Sequence, residues 1–600
     1  MPTATLAPQT APTQPAPPQL STPPAAQPRP HWPRTHVLIL LGLWLIIFVS
    51  AAFTPPLLDD ADATHAQAAQ AMLTTGDWVT LHVDGIRYLE KPPLPYWVTA
   101  VSLKLFAPAA PNSQQNSISQ RNAPDQWGTQ SQWDNRAAFA VHFPLALTIL
   151  GLALLGYAWS HRAFTTPDNN HHAALYTGIF ILTSAGVFLF TRIFIPDALL
   201  SLLLAFTLYA LLRSLEASTN PATNLGAPGL ASETWVRRIF VDNLWPYAMW
   251  FTLALAVLTK GLVAIIFVLA TTLLFLIWTN QLHRWRELKP LTGLILFLAV
   301  AAPWHILAGL RNSGGANGHG FFWFYFINEH VLRFLGRRIP RDYNKLPTTL
   351  YWSLHLIWLF PWSLFAPAAL IVAWRKRKSL LFRPTNDLSS RPEGAARSGE
   401  TRSSTPTFKH QTILILTIFS TLVLLFFSLS TNQEYYTFPI YLPLLMLLAA
   451  SLTSIESHLT TNPATNPGAP HLASEMWVST EPNPSNQPPD PTLRRALTFT
   501  FATYTLLGLA ISAALAYGLW SARTLPFVPD IGDLLAHRNV GDYTLSMSHF
   551  FDLTGPSFAA LRLPATLALI AFLIGPAIAW RFYARPSHTR RRFQPAILTI

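Results

Sequence analysis

The chain contains no cysteine, which excludes disulfides, thiolate metal sites and thiol nucleophiles. Charge is also scarce. Asp, Glu, Lys and Arg make up 12% of the 600 residues, where a soluble domain carries about 25%, and half of the chain is hydrophobic. No Gly-rich phosphate loop, dinucleotide-binding Gly turn or HExxH helix occurs, so nucleotide-driven and zinc-hydrolase chemistry lack their motifs. The net charge of +13 would suit nucleic acid in a soluble protein. Here much of the Lys and Arg sits in short loops beside apolar runs, the pattern of membrane orientation, and no nucleic-acid partner is expected.

What the chain has instead is a series of apolar runs near the roughly 20 residues that cross a bilayer. Twelve spans are expected, near 36–53, 136–159, 173–191, 196–214, 243–259, 261–279, 289–309, 350–374, 411–430, 436–453, 497–519 and 561–581. A shorter stretch, 95–107, reads as re-entrant or interfacial. The first span reads as an uncleaved signal anchor, and the Pro-, Ala-, Thr- and Gln-rich residues 1–30 before it as disordered. Residues 243–279 would reach about 55 Å as one straight helix, so they must fold as a hairpin with Thr259, Lys260 and Gly261 at its tip. The same reasoning puts Arg192, Pro196 and Asp197 at the tip of 173–214. It puts Asn432, Glu434, Tyr435 and Tyr436 at the tip of 411–453. The segments 219–236 and 461–478 are near-duplicates, TNPATNLGAPGLASETWV and TNPATNPGAPHLASEMWV. They read, like 385–408, as low-complexity loops.

The basic clusters Arg284–Lys289, Arg375–Lys378 and Arg590–Arg592 fall on one side, which the positive-inside rule makes cytoplasmic, together with both termini. The loop 54–135, the tips at 192–197, 260 and 431–436, and the loops 310–348 and 520–560 then share the outer side. Loop 310–348 is basic on that wrong side, so its arginines are there for a ligand.

The candidate chemistry lies in those outer segments. Asp59, Asp60 and Asp62 follow the first span directly and open an Ala-rich helix. Helix capping accounts for one or two of them; a third suggests a carboxylate that acts as a base. Glu90 and Lys91 precede Pro92 and Pro93, which stiffen the backbone, and a lysine near the membrane surface suits a lipid phosphate. Asn328, Glu329, His330 and Arg333 fall within two helical turns beside an aromatic cluster, and Arg333 is a candidate phosphate clamp. Asp197 at a span start is a functional candidate or an N-cap. Lys260 could snorkel, and Tyr435 and Tyr436 could anchor at the interface.

Taken together, GDWVTLHVDGIRYLEKPPLPYW, RIFIPDALL, FFWFYFINEHVLRFL and FSLSTNQEYYTFPIYLPL resemble motifs of the bacterial membrane glycosyltransferases of family 39. These include aminoarabinose transferases acting on lipid A and protein O-mannosyltransferases. The resemblance covers roughly 36–450. It implies an all-α polytopic GT-C fold of about 12–13 transmembrane helices, with periplasmic juxtamembrane helices in the first loop. It implies a tail at 1–35, a catalytic module at 36–453, a cytoplasmic loop at 454–496, and C-terminal helices at 497–600 with a short periplasmic segment and a basic tail.

The implied activity moves a sugar from a polyprenyl-phosphate donor to a lipid, glycan or protein acceptor on the periplasmic side of the inner membrane, with inversion. The phosphate would sit near Lys91 and Arg333. Glu90 and Asp197 would support the site, with Glu329, His330, Lys260, Tyr435 and Tyr436. The resemblance implies no definite cofactor and leaves a divalent cation open. The sequence departs from the family at the start of the first loop. There Ala61-Asp62 replaces Asp-Glu and His65 replaces Tyr, which leaves Asp60 and Asp62 both open as the operative carboxylate. Asn328 replaces the first His of the H-E-H triplet and weakens a metal site. A transporter or flippase is the competing class; the internal helical symmetry it would need is missing.

Overall fold

The computed structural model describes residues 32–53, 57, 60–107, 135–165, 171–217, 232–314, 318–340, 346–381, 407–430, 432–459, 491–526, 555–584, 595–598 and 600. At 60–61, 217, 232–243, 376, 378–381, 457–459 and 556–557 it describes the backbone alone. Asp59, the tail to residue 31, residues 219–231 and 461–478 of the duplicated segments, and most of 385–408 lie outside the described residues.

The chain is an all-α polytopic membrane protein. In chain order the helices are α1 Arg34–Trp44, which runs on in π and 3-10 turns to Phe53, α2 Asp60–Thr75, α3 Leu94–Phe106, α4 Asn135–Phe164, α5 His172–Thr183, α6 Ala185–Phe190, α7 Asp197–Ala217, α8 Ser232–Lys260, α9 Val263–Trp278, α10 Pro290–Arg311, α11 Thr348–Trp358, α12 Ala366–Leu381, α13 Phe408–Leu429, α14 Tyr441–Leu459, α15 Pro491–Ser521, α16 Gly555–Ala560 and α17 Arg562–Ala584. All twelve expected spans are helical. Eight helices among the described residues are long and apolar enough to cross a membrane unaided, and the bent pair α11–α12 makes a ninth. The remaining expected spans fall in α5–α6, α8 and α9.

The spans bury one face and leave apolar residues outward: Leu291 is 79% and Ile46 73% exposed. A water-soluble protein would hide such side chains, whereas lipid solvates them. Inside, α7 packs along α8, α4 along α5, and α15 along α17. The two-residue strands β1 His82–Val83 and β2 Ile86–Arg87 pair antiparallel. Between them Asp84 and Gly85 both take positive φ, 51° and 75°, as an Asp-Gly hairpin turn requires.

Three expectations need correction. The span expected at 173–191 is interrupted at Ser184, which is extended (φ −75°, ψ 132°). The span expected at 350–374 bends by 104° between α11 and α12, because Pro361 lacks the amide hydrogen that would continue the helix. The two breaks answer one another. The Ala185 N–H donates to the Phe360 carbonyl at 2.9 Å, Trp362 Nε1 donates to Thr183 at 2.9 Å, and the Phe180 and Trp362 rings stack at 4.0 Å. Each break thus satisfies groups that the other orphans. The third correction is that α8 begins at Ser232, inside the stretch expected to be low-complexity loop. Trp235, Ile239 and the following apolar residues recur at helical spacing, and that extends the helix.

Candidate active site

The three hairpin tips behave as expected. Lys260 closes α8, Asp197 opens α7, and 430–437 joins α13 to α14. Gly261, at φ +92°, makes the turn after Lys260. A Cβ on it would meet His330 Nε2 and Tyr325 Oη. Gly261→Ala is therefore expected to cost about 1–3 kcal/mol or more of stability, since backbone strain and a clash act together. A thermal melt of the purified variant checks this.

The tips meet at a buried ion pair. Lys260 Nζ donates to both carboxylate oxygens of Asp197, whose side chain is 1% exposed. Its ammonium also lies 4.4 Å from the Tyr436 ring and 5.2 Å from that of Tyr435, a cation–π cradle. Lys260 does not snorkel, and Tyr436 is buried rather than anchored at an interface. Asp197 spends its carboxylate on Lys260.

A second cluster forms where the first loop meets the segment after α10. Residues Trp323–Leu332 are wound as a π-helix, a form found mostly at functional sites. Glu329 accepts from Arg333 at 3.0 Å and from Arg338 Nε at 2.7 Å. Arg338 also donates to Glu90 at 2.6 Å, so one guanidinium ties the first loop to this segment. Asn328 holds that guanidinium in place. Its amide donates to the Ile339 carbonyl and accepts from the Ile339 N–H, both at 2.8 Å. Lys91 makes no ion pair or hydrogen bond among the described residues. It lies in the fields of Glu90, Glu329, Arg333 and Arg338, and both it and Arg333 act on Lys260.

Around Lys91, three cations, Lys91, Arg333 and Arg338, thus face two carboxylates, Glu90 and Glu329, beside the Lys260–Asp197 pair. The site has room for an anion's charge. Burial lowers the Lys91 ammonium pKa, Arg333 adds to that, and Glu90 and Glu329 only partly oppose it. Burial works to raise the Glu90 carboxyl, but Lys91, Arg338 and Arg333 outweigh it and hold Glu90 below its usual value. Burial and the neighbouring Glu90 raise Glu329 instead, which tips the balance further toward positive.

His330 is locked between two elements. Its Nδ1–H donates to the Tyr325 carbonyl at 2.6 Å, and its Nε2 accepts the Leu262 N–H at 3.0 Å, an arrangement only the neutral ring permits. Burial, backed by Lys91 and Arg333, keeps its pKa below 6.5 despite the bond to Tyr325. The folded state therefore binds fewer protons than the unfolded chain just below pH 6.5, so the stability His330 contributes is full above that pH and is lost as pH falls through the lowered pKa. Acidification from pH 7 to 5 should lower the melting temperature, and His330→Gln should flatten that part of the profile.

The aspartates of the first loop sit differently. Asp60 opens α2. Asp62 is 2% exposed; it accepts from the Phe194 N–H at 2.8 Å and from His142 Nε2 at 3.0 Å and lies in the field of Arg192. Arg192 itself donates to the Ala51 carbonyl. His65, which departs from the family's Tyr, bonds the Tyr96 hydroxyl at 2.9 Å. Among the described residues, no group of three or more His, Asp or Glu is arranged to hold a metal ion.

Sequence reasoning missed Arg338 and His142. A lone histidine inside an apolar span was the signal for His142, and the excess of arginine on the outer loop was the signal for Arg338.

No protein-family model matches the chain. Its sequence is similar to proteins named undecaprenyl phosphate-alpha-4-amino-4-deoxy-L-arabinose arabinosyl transferase. The one from Pseudomonas aeruginosa strain UCBPP-PA14 is 26% identical over 399 residues, 65% of this chain and 55% of that protein. The one from Aeromonas salmonicida is 25% identical over 404 residues, 67% and 57%. The chain thus spans a little over half the length of these relatives. Among solved structures, ArnT from Cupriavidus metallidurans bound to undecaprenyl phosphate superposes with a TM-score of 0.56 at 19% identity, covering 94% of this chain and 73% of that one. Its apo form gives 0.55. The fold is shared, and the expected resemblance to GT-C membrane glycosyltransferases is borne out.

Proposed function

We propose that this protein is an inverting membrane glycosyltransferase. It takes a sugar from a polyprenyl-phosphate donor and passes it to a lipid, glycan or protein acceptor on the periplasmic side of a bacterial inner membrane, with both termini cytoplasmic. The observation that carries this reading is the surplus of positive charge around the half-buried Lys91, at the end of the bundle where the three hairpin tips meet. An unpaired ammonium in a low-dielectric site is costly unless an anion joins it. The relatives' names supply such an anion, a lipid-linked sugar phosphate.

In this reaction the donor phosphate lies between Lys91 and Arg333. The acceptor oxygen attacks the anomeric carbon from the face opposite the phosphate. As the new C–O bond forms, the bond to the phosphate oxygen breaks and its electron pair stays on the polyprenyl phosphate. Charge grows on that oxygen in the transition state, and fixed cations stabilise it there more than in the ground state. A first-loop carboxylate takes the acceptor's proton. Since Asp62 has its oxygens engaged by Phe194 and His142, we assign that task to Asp60. Arg338 holds Glu90 and Glu329 and so keeps Lys91 and Arg333 in place. Among the sugars, 4-amino-4-deoxyarabinose is the first to test.

The test is mass spectrometry of lipid extracted from the purified protein, followed by transfer assays with synthetic donors. A co-purifying polyprenyl phosphate and sugar release dependent on it would support the reading. If polyprenyl phosphate neither co-purifies nor binds when added, the donor class is wrong.

A further inference from the structure

The ends of α12 and α15 that point away from the charged site form a second feature of definite chemistry. α12 leads away from that site: Leu346, just before α11, is hydrogen-bonded to Asn432 in the tip beside Lys260, while beyond the bend Trp362 stacks on Phe180 of α5 and the Leu364 carbonyl accepts from Thr500 of α15. An open groove of about 720 Å3 is lined by Leu370, Ile371, Trp374, Arg375 and Arg377 of α12 and Thr492 of α15. A second hollow of about 460 Å3 lies on the same first turns of α15, against Arg494, Arg495 and Phe499.

The groove has two zones. The apolar walls of the groove and of the neighbouring hollow are turned outward: Leu370 is 68% and Trp374 67% exposed in the groove, and Phe499 64% in the hollow. The rims are cationic, with the guanidinium groups of Arg375 and Arg377 at the groove and those of Arg494 and Arg495 at the adjoining hollow. The last turn of the neighbouring α17 adds Arg581, and that helix is tied to α15 by the Tyr583 hydroxyl on the Arg494 carbonyl at 3.3 Å. Neither α12, α15 nor α17 carries a single Asp or Glu, so no acid on these helices neutralises the rim. Arg377 is already placed: its guanidinium lies 4.0 Å over the Trp374 ring and donates to the Trp374 carbonyl at 2.7 Å.

A cationic rim one turn above an outward apolar wall matches a glycerophospholipid, whose phosphodiester sits at the membrane surface and whose acyl chains run along the protein. A free phosphate would use the rim and leave the wall bare. A soluble protein partner would not reach apolar residues at bilayer depth. A zwitterionic headgroup would place its own ammonium against the arginines, so charge complementarity selects an anionic one. We propose that the groove between α12 and α15 binds an anionic phospholipid of the leaflet opposite the active site. The proposal does not depend on the chemistry assigned to Lys91.

Native mass spectrometry of the full chain, released from micelles containing equal phosphatidylglycerol and phosphatidylcholine, tests this. The wild type should retain phosphatidylglycerol preferentially. The triple variant R377Q/R494Q/R495Q should retain about 100-fold less, since each of the three surface arginines contributes about 1 kcal/mol toward anionic lipid, while the triple Lys variant should keep most of it. Equal retention of both lipids by the wild type, undiminished phosphatidylglycerol on the Gln variant, or displacement of the lipid by millimolar inorganic phosphate would each overturn the proposal. Retention of polyprenyl phosphate, read in the same spectra, should be unchanged in the Gln variant and lost in Lys91→Ala. Failure of the groove and failure of the donor site are then separate results.

Discussion

Lys91→Ala is expected to lower sugar transfer by about 100-fold or more while leaving the protein folded. The ammonium makes no ion pair among the described residues, and the carboxylate beside it, Glu90, keeps its bond to Arg338. Removing Lys91 therefore orphans no buried acid and relieves repulsion with Arg333. In the proposed reaction what is lost is a fixed cation beside the departing phosphate, and groups of that kind are worth about 10²–10³ in rate. The contrast is Arg338→Ala. That change leaves Glu329, with a side chain 3% exposed, and Glu90 short of a partner at once. Breaking a buried pair by removing one member costs about 3–5 kcal/mol, so Arg338→Ala should show first as a lowered melting temperature. Steady-state kinetics with a polyprenyl-phosphate sugar, run beside thermal melts, separates the two. A folded Lys91→Ala enzyme working at the wild-type rate would remove Lys91 from the phosphate site.

The contrast also shows which parts of the site a reader of the sequence can see. Lys91, Glu90, Glu329 and Arg333 stand in local patterns, a charged pair before two prolines and a charged pair at i, i+4, and the structure brings them into one cluster. Arg338 stands in no pattern. Its role comes from Glu90, 248 positions away, and from an Asn328 amide that grips the neighbouring Ile339 backbone. The hairpin tips were legible because length alone forbids a straight helix through residues 243–279. The breaks at Ser184 and Phe360 were not, because both lie in apolar runs with the composition of an unbroken span. Pro361 hints at one of them, yet a proline kink and a 104° bend look alike in sequence. What decides is that each break supplies the other's missing hydrogen bond, a fact of packing between segments roughly 175 residues apart. The same holds for Lys260. A lone lysine at a hairpin tip could as well snorkel, and only the approach of Asp197, Tyr435 and Tyr436 from two other hairpins buries it.

The choice between the first-loop aspartates turns on how fully the Asp62 carboxylate is already engaged by other groups. Asp60→Asn is expected to reduce transfer by about 10²–10⁴, the usual worth of a positioned general base, with little change in melting temperature. Asp62→Asn is expected to do the reverse, costing about 1–3 kcal/mol of stability and reducing activity only as far as the fold loosens. The reason is that the Asp62 carboxylate ties three elements together: α2, on which it stands; the 191–196 segment, through the Phe194 N–H; and α4, through His142. An amide in its place keeps an oxygen for Phe194 but gives up the charge that faces Arg192. A carboxylate so occupied, 2% exposed, would have to release a buried backbone N–H before it could take a proton from an acceptor. That release would be charged against every turnover. Asp59→Asn serves as the comparison, since it removes one of the same three acids. Transfer rates and melting temperatures for the three variants decide the matter. If Asp62→Asn melts like the wild type yet loses transfer, Asp62 is the base and its bonds to Phe194 and His142 must open during catalysis. If Asp59→Asn alone loses transfer, the base lies ahead of α2. If all three remain active, the acceptor loses its proton to a group elsewhere, and Asp62 serves only to hold the first loop against the 191–196 tip.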